Sequence, residues 1–203
     1  MLFFVPMVTP SNPGFVVMGN KLGKETLFDY IYRFGFGKKT GIDLNGEGKG
    51  ILFDLEKVGP LELATTSFGQ GVSVTALQQV EAVSAIINNG NMYTPFVVKS
   101  ISDYETGTII KETKPNRKVI TNESSQTVRM TLETVVAYGT GRNAYIEGYR
   151  VGGKTGTAQK VKDGHYLSGN YILSFIGFLP ADNPQAVVYV AVDNPKGVTQ
   201  YGG

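Results

Sequence analysis

Three strand-like runs near the end of the chain, residues 150–161, 171–179 and 186–193, constrain the fold most. The connections between them are too short to carry a crossover helix, which parallel neighbours require, so consecutive antiparallel pairing follows. Pro180-Ala181-Asp182-Asn183-Pro184 supplies the turn between the last two runs. Upstream the pattern is helical. Leu27, Ile31 and Phe34 lie at helical spacing within residues 22–34, ahead of Gly35. Thr75 and Gln78 form a capping-box pattern before Leu77, Val80, Val83 and Ile87, and Asn88-Asn89-Gly90 is a stop signal. A further helix starts near Thr121-Asn122-Glu123 and runs through Val128, Leu132 and Val135 to Gly139. Residues 96–120 read as short strands around a turn at Glu105-Thr106-Gly107. Between residues 35 and 53, glycines at 35, 37, 41, 46, 48 and 50 predict a loop or short strands joined by tight turns.

Composition narrows the function. The 203 residues suit one domain, with no internal repeat or linker. Nineteen Lys plus Arg against 17 Asp plus Glu give a net charge of +2, which argues against a nucleic-acid partner. Cysteine is absent, excluding disulfides, thiolate metal sites and cysteine nucleophiles. The single histidine, His165, excludes a His-pair zinc site; between Gly164 and Tyr166 it reads as an exposed turn residue. Asn122-Glu123-Ser124 is a glycosylation sequon by pattern, but capping at a helix start explains those residues better. The apolar opening Met1–Val8 is too short to span a bilayer and lacks the basic flank and cleavage site of a signal peptide, so the chain reads as soluble.

One lysine admits two readings. Gly148 to Thr155 matches G-x-x-x-x-G-K-[ST], and Val187–Asp193 looks like an apolar strand ending in a magnesium-holding aspartate, together suggesting an NTPase. A phosphate-binding loop must open a helix. Here Lys154-Thr155 leads into Gly156-Thr157-Ala158-Gln159-Lys160-Val161 and a turn at Lys162-Asp163-Gly164, which is poor helix material. The other reading takes Lys154-Thr155-Gly156 as the K-T-G element of serine-reactive β-lactam-binding enzymes. In that chemistry a strand edge offers backbone groups to an extended peptide, a lysine gives positive charge and hydroxyls bind a carboxylate. Taken alone, the tripeptide fits a surface turn equally well.

Its surroundings decide between them. Phe34–Glu47 (FGFGKKTGIDLNGE), Thr66–Thr75 (TSFGQGVSVT), Gly139–Gln159 (GTGRNAYIEGYRVGGKTGTAQ) and Ser174–Lys196 (SFIGFLPADNPQAVVYVAVDNPK) together resemble the transpeptidase domain of class B penicillin-binding proteins. The similarity runs from Asn12 to Gly203, whereas residues 1–10 do not match. The resemblance implies an α/β fold of the α+β type, an antiparallel sheet flanked by helices as in serine β-lactamases. It also implies a serine D,D-transpeptidase that cross-links peptidoglycan stem peptides of the cell wall or spore cortex through an acyl-enzyme and is trapped by β-lactams. The parent protein would be membrane-anchored and extracytoplasmic, with no metal or organic cofactor. By the same resemblance, Lys154 assists proton shuttling, Thr155 and Thr157 bind the substrate carboxylate beside Gly156, and the Thr157 N–H forms half of the oxyanion hole.

Departures from the family pattern are equally plain. None of the ten serines (11, 67, 73, 84, 100, 102, 124, 125, 168 and 174) has a lysine three residues later, so the S-x-x-K nucleophile and base are missing. Asn12 falls at the asparagine of the S-x-N motif, but Pro10 stands where its serine belongs. Within the family, a last helix follows the point where this chain stops. The expectation is therefore a partial domain over residues 1–203, inactive alone, with a non-catalytic peptide- or partner-binding relative as the alternative. An incompletely covered sheet should also favour a homodimer or strand exchange.

Overall fold

The computed structural model describes residues 7–107, 115–162 and 165–197. Among the described residues, a three-stranded antiparallel sheet is preceded or flanked by the α-helices α1 (Asn12–Leu22), α2 (Lys24–Arg33), α3 (Pro60–Ser67), α4 (Ala76–Ile87) and α5 (Asn122–Tyr138). A two-residue ladder joins β1 (Asn91–Met92) to β2 (Arg117–Lys118). The main sheet has β3 (Gly152–Lys162), β4 (His165–Leu179) and β5 (Ala186–Asp193) in the order β3-β4-β5. Lys154 pairs with Ile176, Thr155 with Phe175 and Thr157 with Leu173, while Ile176 pairs in turn with Tyr189. The antiparallel reading of the three runs holds. Lys154 starts no helix, and Asp193 is bound by Lys160, whose Nζ lies 2.7 and 2.9 Å from its two carboxylate oxygens. The NTPase reading is thereby overturned.

The capped helices follow their sequence signals. Thr75 Oγ1 accepts from the Gln78 N–H and Gln78 Oε1 from the Thr75 N–H, closing the capping box of α4. Beyond that helix Asn89 and Gly90 take φ of 53° and 82°, the left-handed stop. Thr121 caps α5 by accepting from the Ser124 N–H. Two helices escaped the pattern. In α1, Pro13, Gly14 and Gly19 read as breakers, yet Ser11 caps the helix by accepting from the Gly14 N–H and proline suits its first turn. Gly19 is needed for packing: a Cβ there would lie 1.8 Å from Ser67 Oγ, so α1 and α3 approach at backbone distance. Helix α3 starts at Pro60, with Glu62 accepting from the Gly59 N–H.

The expected short strands across 96–120 are met in part. Residues 117–118 pair with 91–92, which lie before that span, residues 96–101 form no strand, and residues 108–114 lie outside the described residues. The turn is present: the Asp103 carboxylate accepts from the N–H groups of Glu105 and Thr106. In the glycine-rich segment the only ladder contact among the described residues is Ile51 with Ser73. Side chains hold the rest. Glu47 accepts from the Thr40 and Gly41 N–H groups, Asp43 from those of Val97 and Val98. Gln78, fully buried on α4, donates to the carbonyls of Lys38 and Lys49 at 2.7 and 3.0 Å.

The core sits between α4, α5 and the sheet. Phe178 and Ala181 pack with Ile87, Leu132 and Val135; a smaller cluster joins Ala85, Met92 and Val119. The other side of the sheet is less covered, with Val188, Val190 and Val192 each about half exposed at 53, 54 and 49%. No described helix is long and apolar enough to cross a membrane.

One buried acid makes the fold sensitive to pH. Burial pushes the Glu81 carboxyl up to about 7; nearby Arg117 opposes the shift and Glu47 adds to it. The folded chain thus keeps a proton that the unfolded chain loses near its ordinary value of 4.5. Stability from this group is full below pH 4.5 and is lost as the pH rises through about 7. Urea denaturation should show Glu81→Gln nearly flat over that window. At pH 8 the variant should exceed the parent by on the order of 2 kcal/mol.

Candidate active site

The K-T-G segment lies on β3, an edge strand among the described elements, so side chains of both its faces border one cleft. Two glycines set its path. A Cβ on Gly152 would lie 2.4 Å from Phe178 Cζ, and one on Gly153 would lie 2.4 Å from Phe175 Cζ and 2.8 Å from the Ile176 carbonyl. Only residues without side chains let β3 lie this close to the aromatic rows of β4. Gly156 repeats the constraint, its absent Cβ falling 2.6 Å from Ser174 Oγ.

A cleft of about 800 Å³ opens against this strand. Lys154, Thr155, Gly156 and Thr157 line one wall; Asn12, Phe15, Ser67 and Phe68 line the other. Every site residue read from the sequence, Asn12 included, therefore borders the same space. Ser11 is occupied in capping α1, and Pro10 stands at the cleft margin. Met7 and Thr9 also reach the wall, although the sequence reading set residues 1–10 apart. His165 opens β4, exposed and paired with Lys162. A neighbouring cavity of about 450 Å³ shares Gly156, Thr157 and Phe68, and the Thr66 hydroxyl on its lining is buried without a hydrogen-bond partner.

Among the described residues that line it, the cleft holds one cation, Lys154, and no acidic side chain. The Lys154 ammonium donates to the Thr155 carbonyl at 2.8 Å, and burial draws its pKa below the ordinary lysine value. Thr155 Oγ1 lies 3.2 Å from Thr140 Oγ1, a residue the sequence reading quoted in its motif without giving it a role. An arginine clamp fixes the entry to β3. Arg150 binds both oxygens of Glu133 at 2.7 and 2.8 Å and Asp182 at 3.0 Å, while its carbonyl accepts from the Ala181 N–H.

The Lys154-Thr155-Gly156 element thus lies along an edge strand beside a cleft, as a K-T-G motif requires, and not in a loop that opens a helix, as a nucleotide site would. Residues 7–203 match the family model described as the penicillin binding protein transpeptidase domain, and the chain belongs to this family. It is 65% identical over 194 residues to stage V sporulation protein D of Bacillus subtilis (strain 168), covering 95% of this chain and 30% of that protein. It is 37% identical over 196 residues to the peptidoglycan D,D-transpeptidase FtsI of Buchnera aphidicola, covering 95% of this chain and 32% of that one. Among solved structures, penicillin binding protein 3 from Mycobacterium tuberculosis complexed with ampicillin matches with a TM-score of 0.89 at 32% identity, over 95% of this chain and 45% of that one. The chain thus spans about a third of the curated relatives' length.

The burial of Lys154 has a direct readout. In a ¹⁵N-detected titration its amine should have a midpoint below 10.5. An ordinary or raised midpoint would show that the ammonium is well solvated or paired with an unseen acid.

Proposed function

We propose that this chain supplies the substrate-carboxylate and lysine side of a peptidoglycan D,D-transpeptidase site, acting on cell-wall or spore-cortex stem peptides. The observation that carries the reading is the placement of Lys154, Thr155, Gly156 and Thr157 on an edge strand facing Asn12 across one cleft. An extended peptide ending in a carboxylate can add along β3, its terminal anion between the Thr155 and Thr157 hydroxyls and near the Lys154 charge. The Thr157 N–H serves as one oxyanion donor, and Lys154 helps move a proton in the acyl-transfer step. The names of the relatives support the peptidoglycan substrate, and the ampicillin complex supports β-lactams as mimics of it. A setting outside the membrane, in a membrane-anchored parent, belongs to the same proposal.

Acylation also needs an activated hydroxyl at near-attack distance with a base beside it, and this sequence holds no S-x-x-K. The chain by itself is therefore inactive. Incubation with a fluorescent penicillin, followed by denaturing electrophoresis and intact mass, should show no covalent label. A stoichiometric penicilloyl adduct on any serine would overturn this. Joined to an upstream segment that carries S-x-x-K, the chain should label, and Lys154→Ala should then cut the rate by about 100-fold or more. Unchanged labelling would remove Lys154 from the chemistry. If no label appears with the upstream segment present, the non-catalytic peptide-binding reading takes over.

The half-exposed Val188, Val190 and Val192 on β5 support self-association, as a homodimer or by strand exchange. Light scattering should show a species larger than a monomer at high concentration. Val190→Lys, which places charge on that face, should shift it toward the monomer.

A further inference from the structure

We infer that Thr140 is a positioning residue for the carboxylate subsite, fixing the Thr155 hydroxyl so that its proton faces the ligand; this rests on the reading of Thr155 proposed above. The two hydroxyl oxygens lie 3.2 Å apart, and either can be the donor. A bound carboxylate only accepts hydrogen bonds, so Thr155 must spend its one proton on the ligand. The remaining interaction between the threonines then has a single sense: Thr140 donates and Thr155 accepts.

The backbone around Thr140 suits that task. It stands between Gly139 and Gly141 in the turn that ends α5. The N–H groups of both glycines donate to the Val135 carbonyl, at 3.0 and 3.1 Å. Gly139 has no room for a side chain, since a Cβ there would lie 2.5 Å from the Val8 carbonyl and 2.9 Å from that of Val135; Gly141 is tightly packed, with a Cβ 3.2 Å from the latter. Thr140 is thus carried on a turn tied to the buried part of α5, where Val135 and Val136 are 0 and 1% exposed. Thr155 takes its backbone position from a different element, the ladder of β3 with β4. The hydroxyl pair is a link between helix and strand at the point where the cleft needs a fixed donor. Lys154 meanwhile holds the Thr155 carbonyl, leaving the side chain as the part of Thr155 that rotates.

The test compares the parent chain with Thr140→Val, which keeps the shape and loses the hydroxyl, and Thr140→Ser, which restores it. Three-bond couplings to the Thr155 Cγ2 methyl report its side-chain rotamer without any ligand. One rotamer is expected in the parent and in Thr140→Ser, and averaging in Thr140→Val; an unchanged single rotamer in Thr140→Val overturns the inference. Non-covalent binding of ampicillin and of its methyl ester, followed by chemical-shift titration, reads the consequence. The preference for the free acid should fall about five- to tenfold in Thr140→Val and recover in Thr140→Ser. Equal loss in both variants would assign the effect to packing of the methyl group and also overturn it. If the rotamer responds while the parent chain binds acid and ester alike, Thr140 still positions Thr155, and the carboxylate role of Thr155 fails instead.

Discussion

The site depends on what Gly152 and Gly153 lack. With the rings of Phe178 and Phe175 both 2.4 Å from where a Cβ would stand, any side chain at either position would push β3 away from β4. The following residues, Lys154 to Thr157, would then lose the register that sets them along one edge. Small residues before a functional motif are usually read as flexibility. Here they do the opposite, since the missing side chains let a strand seat closely against aromatic rings and become rigid.

Just before those glycines, the approach to the strand is held by charge rather than fit. Arg150 ties the start of β3 to Glu133 on α5 and to Asp182 in the β4–β5 turn, a fork-shaped donor matched to a carboxylate. The Glu133 bond and charge raise the guanidinium pKa further, so Arg150 keeps its charge over any ordinary pH. Glu81 is the contrasting case. Its carboxyl is buried where the nearby Arg117 charge does not compensate fully, and its proton becomes part of the fold.

The sheet was legible because periodicity and short connections leave antiparallel pairing as the economical solution, and α4 and α5 because Thr75, Gln78 and Thr121 are capping residues whose side-chain bonds are local. Helix α1 was not, since Gly19 lowers helix propensity on its own and makes sense only against Ser67 of α3. Within 96–120, Val97, Val98 and Ile101 stand outside any strand, because β-branched residues carry no local sign of their exposure, which is 64, 40 and 54%. Site residues divide the same way. Lys154, Thr155 and Thr157 could be read from a contiguous motif. Thr140 could not be given a role, because it depends on how the end of α5 meets β3, a tertiary fact with no sequence spacing of its own.

Lys154 shows why the pieces belong together. A half-buried ammonium with only a neutral carbonyl among its named partners is costly, and burial alone accounts for its lowered pKa. A chain selected for stability alone would place an acid beside it or move it into water. No described ion pair includes it, although Lys57, Lys160, Arg33 and Arg150 all have acidic partners. The same wall offers two threonine hydroxyls, which stabilise an anion without neutralising the lysine in advance. An arriving carboxylate would supply the absent charge, raise the affinity of Lys154 for its proton and recover part of the desolvation cost. The electrostatic cost of burying Lys154 is thus complementary to the carboxylate that the proposed function would bring to this wall.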